Sequence, residues 1–320
     1  MRRIRTALLF CILAALGSLF LGAAELSPLE LLTGADTTAG RIFLYVRLPR
    51  TAACLLAGGA LSVAGCVIQN VLGNPLASPN IIGVNAGAGL AVTVCCAFGC
   101  LSGWALAGAA FGGAFLAVLA VSLAARWAGG SRTAVILSGV AMNAFLGAMS
   151  DAVTDLVPEA AVMSADFRVG GFGAVVPARL IPAGILILLA MGAVFLLHRE
   201  LEVLSLGSEL ARSLGIHEKG MRTVFLALAA LLCGAAVSFA GLLGFVGLIV
   251  PHAVRRFAGT ECRRLLPLAA IWGGAFVTVC DLLARLAFRP QELNVGILLS
   301  ALGGPFFLYL LSKRGGDRDA

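Results

Sequence analysis

The chain reads RLPRTAACLLAGGALSVAGCVIQNVLGNPLASP from Arg47 to Pro79. After Arg50 this stretch contains no charged residue, and residues 52–72 form an apolar run that is long enough to cross about 30 Å of hydrocarbon as a helix. Pro75 and Pro79 follow it and precede another apolar run, and proline breaks a helix interior. The stretch therefore predicts a membrane helix, a sharp break and a second membrane helix.

The composition extends this interpretation to the whole chain. Of 320 residues, 60% are hydrophobic and 12% are charged, and the mean hydropathy is +1.01. A water-soluble globule of this length could not bury so much apolar surface, and a disordered chain requires low hydrophobicity and high charge. We therefore predict an all-α polytopic membrane protein, with a single transmembrane domain over residues 1–320.

Ten apolar stretches are candidates for transmembrane helices. The first follows three arginines and could be a signal peptide, but no cleavage site with a soluble mature domain follows it, so we predict a retained helix. Residues 244–254 are too few to cross the bilayer and are expected to form a partly buried helix. The stretches, with approximate bounds, are 7–23, 52–72, 83–101, 104–125, 133–150, 180–197, 223–240, 244–254, 266–284 and 295–311.

The distribution of basic residues predicts the orientation. If the N-terminus is inside and the ten spans alternate, both termini are cytoplasmic and the inner segments carry most of the 23 lysines and arginines, as the positive-inside rule requires. The loop at 151–178 is then outside and carries four acidic residues. Several arginines remain outside although the topology does not require them, among them Arg47, Arg50 and Arg285.

Several kinds of chemistry are missing from the sequence. The net charge of +7 comes from arginines in short groups between apolar runs, which form no basic face for a nucleic acid. There is no GxxxxGK[ST] phosphate loop for ATP. The three histidines and nine cysteines show no metal-ligand spacing, and the cysteines are expected to be small core residues. We predict no catalytic residue, no metal site, no cofactor and no nucleic-acid partner.

The longest inner loop, residues 198–222, contains a candidate surface helix. Its leucines recur every four residues, with charged residues on another face and a glycine near each end. This pattern is typical of a short amphipathic helix on the cytoplasmic surface, and a plain connector is the alternative. The residues concerned are Leu206, Gly207, Glu209, Leu210, Ala211, Leu214 and Gly215.

A short internal similarity indicates an inverted repeat. Residues 62–65 read SVAG and residues 238–241 read SFAG, and a proline follows each at a similar distance, Pro75 in the first copy and Pro251 in the second. In the predicted topology one copy runs inward and the other runs outward. Inverted repeats of transporters have this relationship.

One charged pair lies inside an apolar span. Asp281 and Arg285 are four residues apart, so on a helix their side chains meet on one face. A charge within the hydrocarbon is tolerated mainly when it is paired. We therefore predict an intramembrane ion pair, and a proton relay is the alternative.

Several motifs, in order along the chain, resemble the FecCD-type permeases. These are the membrane subunits of ABC importers for iron–siderophore complexes, haem and vitamin B12. The first half contributes Arg47-Leu48-Pro49-Arg50-Thr51, Gly58-Gly59-Ala60-Leu61, Ala64-Gly65, Gln69 and residues 74–79 (NPLASP). The second half contributes residues 207–215, residues 244–252 (GFVGLIVPH), Arg255-Arg256, Asp281 with Ala284-Arg285, and Gly303-Gly304-Pro305-Phe306-Phe307.

The resemblance implies a type II ABC importer permease fold of ten helices with an inverted repeat, in the bacterial cytoplasmic (inner) membrane. It implies a homodimer or close heterodimer of permeases, two cytoplasmic ABC ATPase subunits and an extracytoplasmic substrate-binding protein, all within membrane lipid. It also implies roles for individual residues. Arg47, Arg50 and Arg285 would dock on the binding protein, Asn74 and Leu76 would lie at the cytoplasmic gate, and residues 206–215 would be the coupling helix.

The apolar spans are compatible with two classes of transporter, a permease of an ATP-driven importer and a secondary transporter. A secondary transporter driven by an ion gradient would need intramembrane acidic or polar coupling sites, and the spans contain almost no acid besides Asp281. A membrane enzyme would need a set of catalytic residues, and the sequence shows no such set. We therefore predict a non-enzymatic permease of an ATP-driven importer that moves an iron chelate (siderophore or haem) or cobalamin, with the secondary transporter as the alternative.

Overall fold

The computed structural model describes residues 2–22, 37–289 and 291–316, and the regular elements within these ranges are all helices. A π-helical turn, Phe43–Arg47, interrupts the second helix, and a short 3-10 turn, Pro79–Ile82, precedes the third. The helices are α1 (Arg2–Phe20), α2 (Thr38–Leu72), α3 (Val84–Ala97), α4 (Gly103–Trp127), α5 (Arg132–Leu156), α6 (Pro158–Val169), α7 (Pro177–Leu196), α8 (His198–Ser205), α9 (Ser208–Ser213), α10 (Glu218–Ala240), α11 (Val246–Ala258), α12 (Cys262–Leu286) and α13 (Val295–Gly316).

The ten predicted membrane helices are all present. Seven helices of the described chain are long and apolar enough to cross a membrane, namely α1, α2, α4, α5, α7, α10 and α12. Two shorter apolar helices, α3 and the part of α13 over Val295–Leu310, and the short α11 complete the set. The predicted all-α polytopic fold is therefore confirmed.

Two loops differ from their predicted form. The predicted outer loop at 151–178 contains α6, which begins with Pro158, has Glu159 in its first turn and ends before Gly170. It packs through a face that includes the buried Ala160 and Ser164. The polar loop predicted at 198–222 ends at residue 217, because α10 already begins at Glu218. The second difference arises because polar residues extend α10 beyond the apolar stretch that identified it.

The helix α11 begins deep inside the bundle, against the C-terminal third of α2. The Gln69 amide donates to the carbonyl of Gly247 over 3.1 Å. A Cβ atom at Gly65 would overlap the backbone of Gly247, so the two helices approach closely only because residue 65 is glycine, as in tightly packed membrane helices. The prediction of a short, partly buried helix at 244–254 is confirmed.

Contacts made where helices begin or finish define two ends of the bundle. At the first, the Arg47 guanidinium donates to the last carbonyls of α1. At the second, the Arg132 guanidinium lies against Gly73, just after α2, and donates to the Leu204 carbonyl in α8 over 2.6 Å. We call these the Arg47 end and the Asn74 end. The helix α2 runs from the first to the second.

The helices that carry the two copies of the sequence repeat run in opposite directions. The Arg222 guanidinium, near the start of α10, donates to the carbonyl of Gly130 in the turn between α4 and α5, which lies at the Asn74 end. The helix α10 therefore begins where α2 finishes. This is the relationship that an inverted repeat requires.

Candidate functional sites at the two ends of the bundle

Two arginines share one carboxylate inside the Arg47 end. Arg50 Nη2 lies 3.0 Å from Asp281 Oδ1, and Arg285 Nε lies 3.0 Å from Asp281 Oδ2. All three side chains are buried. Burying a charge is costly unless it is paired, so each arginine needs this carboxylate. The predicted pair Asp281–Arg285 is in contact, and Arg50 adds a partner from α2 that the local spacing did not indicate.

A second carboxylate completes this charged cluster. Glu292, in the turn between α12 and α13, places Oε2 2.6 Å from Arg50 Nη1. Its side chain is 38% exposed, so this carboxylate lies at the surface while Asp281 lies inside. The two carboxylates balance the charges of Arg50 and Arg285. Sequence reasoning missed Glu292. The sequence did contain a signal. Arg50 and Arg285 lie near one membrane boundary, and Asp281 alone can compensate only one of their two positive charges.

The end of α1 is held by the same group of arginines. The Arg47 guanidinium donates to the carbonyls of Leu19 and Phe20 over 2.9 and 2.7 Å, and Arg285 Nη2 donates to Ser18 Oγ over 2.7 Å. The last carbonyls of a helix lack partners within it and attract cations. Arg47, Arg50 and Arg285 are thus all buried and engaged with groups of this chain, and their docking role stays a prediction.

The predicted gate residues lie in the turn that joins α2 to α3. The Asn74 side-chain oxygen accepts a hydrogen bond from the Leu76 N–H over 3.0 Å, and the Asn74 carbonyl accepts one from the Ala77 N–H over 3.0 Å. An asparagine side chain that bonds to the backbone two residues on makes a compact turn. Asn74 and Leu76 are both half-buried. The side chain of Asn74 therefore shapes the turn that carries Leu76.

A polar cluster ties this turn to α11. The Arg255 guanidinium donates to the Gln69 side-chain oxygen and, over 3.3 Å, to that of Asn70. Gln69 is buried and also donates to the Gly247 carbonyl. A satisfied buried network of this kind rigidifies its surroundings. Sequence reasoning assigned Gln69 and Arg255 no role, although adjacent amides at the end of an apolar run were a visible signal.

The predicted coupling segment forms a short helix outside the long spans. Leu206, Leu210 and Leu214 are 58%, 54% and 62% exposed, whereas Ala211 is fully buried. Gly207, just before α9, has φ +118°, a conformation that a side chain would disfavour. Gly215, just after α9, and Glu209 within it are exposed. The side chains of the three leucines, one within α9 and two beside it, are therefore left uncovered by the rest of the chain.

A chain of ion pairs connects this helix to α10. Arg212 Nη2 lies 3.6 Å from Glu218 Oε2. Glu218 also pairs with Arg222, which in turn donates to the Gly130 carbonyl. The side chain of Arg212 is exposed, but Glu218 and Arg222 are buried. These contacts join α9 to the first turn of α10 and to the turn between α4 and α5.

Within residues 2–22, 37–289 and 291–316, no group of three or more histidine, cysteine, aspartate or glutamate side chains is arranged to hold a metal ion. The nine cysteines are free, and most of them are buried.

Comparison with known proteins identifies the family. A family model described as the FecCD transport family matches residues 8–313. The chain belongs to the FecCD transport family. The hemin transport system permease protein HmuU of Yersinia pestis is 35% identical over 319 residues, with 97% of this chain and 95% of the relative covered. The achromobactin transport system permease protein CbrC of Dickeya dadantii is 37% identical over 320 residues, with 98% and 91% covered.

A solved structure agrees with the fold of this FecCD permease. It is described as an inward-facing conformation of a metal-chelate type ABC transporter, and it superposes with a TM-score of 0.87 at 26% identity, covering 97% of this chain and 98% of the other. The protein is thus a multi-pass permease subunit of a bacterial ABC importer and is not itself the ATPase. This excludes the secondary transporter, and an ATPase and a binding protein are its partners.

The structure sorts the predicted site residues of the FecCD permease into two groups. Arg47, Arg50 and Arg285 come together at one end, around Asp281. Asn74, Leu76 and the coupling segment lie at the other end, where Arg132 links the end of α2 to α8. The roles of these residues, docking at one end and gating and coupling at the other, stay predictions.

Proposed function

We propose that this FecCD permease forms a homodimer that works with two ATPase subunits and an extracytoplasmic binding protein. In this proposal the Asn74 end and both termini lie in the cytoplasm, and the Arg47 end faces the binding protein. The cargo is an iron chelate (a siderophore or haem) or cobalamin. The names of the relatives support this class, because one refers to hemin and the other to achromobactin.

The observation that carries this proposal is the exposure of three leucines in and beside α9. Three exposed leucines at four-residue spacing stand outside the long spans, while the buried Ala211 anchors the helix to the rest of the chain. An exposed apolar patch with a polar rim marks a protein-interaction site. In this proposal the surface sits in a groove of the ATPase. The ion pairs from Arg212 to Arg222 then carry the movement of the ATPase into α10.

The gate proposal rests on the turn at the end of α2. Asn74 braces the turn through its hydrogen bond to the Leu76 N–H, and the Gln69–Arg255 cluster joins the preceding residues to α11. In this proposal Leu76 and its counterpart in the second copy narrow the path at the cytoplasmic end. A shift of α11 would then move this turn and open the path.

Reconstitution tests the source of energy. In liposomes, the permease alone should neither hydrolyse ATP nor accumulate cargo, because the chain has no phosphate loop. Addition of the ATPase and the cargo-loaded binding protein should produce both activities. An ATPase variant that binds ATP without hydrolysing it is the control. Comparison of a ferric siderophore, haem and cobalamin at equal concentration identifies the cargo. ATP hydrolysis by the purified permease alone would contradict the proposal.

Charge removal tests the docking arginines. Arg47→Gln should weaken capture of the binding protein about tenfold, since a hydrogen bond to a charged group contributes on the order of 1.5–3 kcal/mol and tenfold corresponds to about 1.4 kcal/mol. The loss should shrink as salt increases. The matched control is Arg41→Gln, at an exposed arginine in the first turn of α2. Equal affinity of wild type and Arg47→Gln, measured in nanodiscs, would limit Arg47 to holding α1.

A further inference from the structure

A small basic crevice lies at the Asn74 end, between α4, α5 and α10. It has a volume of about 30 Å³. Arg222 lines it but is already engaged with Glu218 and the Gly130 carbonyl. Its other lining residues are Ser122, Ala125, Arg126, Gly130, Val135, Lys219, Thr223 and Leu226. The space is too small for a nucleotide or a chelate, but the edge of a phosphate group would fit.

Two basic side chains at this crevice have no acidic partner. Arg126 and Lys219 are exposed, and among the described residues neither takes part in an ion pair. Arg126 belongs to α4 and Lys219 to α10, and both line the crevice. A Cβ atom at Gly130, in the turn that follows Arg126, would lie 3.9 Å from Lys219 Nζ. The crevice therefore presents two uncompensated positive charges to one ligand, which favours an anion.

The exposed face of α4 that leads to the crevice indicates which kind of anion the crevice binds. Leu116, Leu119 and Leu123 are exposed, and with Arg126 they follow one face of α4 at helical spacing. Trp127, next to Arg126, is 89% exposed, and tryptophan prefers the boundary between a membrane and water. An apolar stripe thus runs up a membrane-spanning helix and ends in a basic group at the boundary.

We infer that Arg126 and Lys219 bind the phosphate headgroup of an anionic phospholipid whose acyl chains lie along the leucine stripe of α4. Basic pockets between membrane helices on the cytoplasmic side bind such headgroups, and the inference rests on the proposed function in placing the Asn74 end on that side. Lys219 follows Glu218, which pairs with both Arg212 of the coupling segment and Arg222. A lipid bound here therefore braces the first turn of α10, through which α9 is anchored.

Lipid retention by the purified permease tests this inference without any ATPase. The delipidated protein is titrated with dioleoylphosphatidylglycerol or dioleoylphosphatidylcholine in neutral detergent, and bound lipid is counted by native mass spectrometry. We expect the wild type to prefer phosphatidylglycerol. In Arg126→Gln and Lys219→Gln, the affinity for it should fall about fivefold for each side chain neutralised. Inorganic phosphate should not displace the lipid.

The matched control removes two charges elsewhere at the same end. Arg256 and Arg263 are exposed and lie outside the crevice, so Arg256→Gln/Arg263→Gln should retain phosphatidylglycerol like the wild type. Unchanged retention by Arg126→Gln/Lys219→Gln, or an equal loss in the control, would overturn the inference. So would displacement by inorganic phosphate. Loss of ATPase binding or of the permease dimer with unchanged lipid retention would assign the surface to a protein instead.

Discussion

Replacement of Asp281 with asparagine is expected to destabilise the permease by about 3–5 kcal/mol, the cost of breaking a buried ion pair by removing one partner. The substitution keeps the shape of the side chain but leaves the buried guanidinium groups of Arg50 and Arg285 without their shared carboxylate. Glu292 would still contact Arg50, so one positive charge would remain uncompensated. We expect transport to be lost together with the packing of α2 against α12.

Exposure of buried thiols measures this loss. Cys54 and Cys233 are free and buried, so a thiol-reactive fluorophore reports unfolding in detergent as the temperature rises. Glu292→Gln is the matched control, because it removes one carboxylate from the same cluster at a half-exposed position. It should cost no more than about 1 kcal/mol. If Asp281→Asn and Glu292→Gln unfolded at the same temperature, the buried carboxylate of Asp281 would not be what holds α2 against α12.

A charge-balanced double variant separates charge from shape. Asp281→Asn/Arg285→Gln removes one charge of each sign, and Arg50 keeps its contact with Glu292. Residues in direct contact show non-additive effects, so the double variant should be more stable than the sum of the two single losses predicts. Additive losses would indicate that Asp281 and Arg285 act independently.

The membrane helices could be predicted because their signal is long and local. About 20 apolar residues in succession are needed to cross hydrocarbon, and few other structures use such runs. The helix α6 was missed because it is short and its polar residues interrupt the apolar pattern. Its signals were an initial proline, Glu159 in the first turn and a following glycine. These signals predict a short helix, but they carry no information about membrane spans.

The charged cluster shows the limit of local spacing. Asp281 and Arg285 are one helical turn apart, so their contact could be predicted. Arg50 is 231 residues from Asp281 in sequence, and only the packing of α2 against α12 brings them together. The topology placed Arg47, Arg50 and Arg285 outside the inner segments. Burial of their side chains depends on contacts with α1 and with Glu292 that no periodicity encodes.

The coupling segment could be predicted in position but not in orientation. The leucine spacing indicated an amphipathic helix near residues 206–215, and such a helix normally turns its apolar face inward. Here the opposite holds, because Ala211 is buried and the leucines are exposed. An isolated chain leaves this apolar face uncovered, and a partner would cover it. The inversion is therefore itself an argument for an interaction surface.

Replacement of Leu210 with glutamate is expected to uncouple the importer without unfolding the permease. The side chain is largely exposed, and surface substitutions usually change stability by no more than about 0.5 kcal/mol. If Leu210 enters the ATPase groove, a charge there costs about 2 kcal/mol or more, as at other central interface residues. The affinity for the ATPase should then fall roughly thirtyfold, and cargo accumulation in liposomes should fall with it.

The control for Leu210→Glu is Val162→Glu in α6, which places the same charge at an exposed apolar residue of another short helix. It should bind the ATPase like the wild type, because α6 follows α5 at the Arg47 end, where Gly170 accepts a hydrogen bond from Gly296. The thermal unfolding of both variants should match the wild type. If Leu210→Glu bound the ATPase as tightly as the wild type, α9 would be only a connector between α8 and α10. Another partner would then have to cover the exposed leucines.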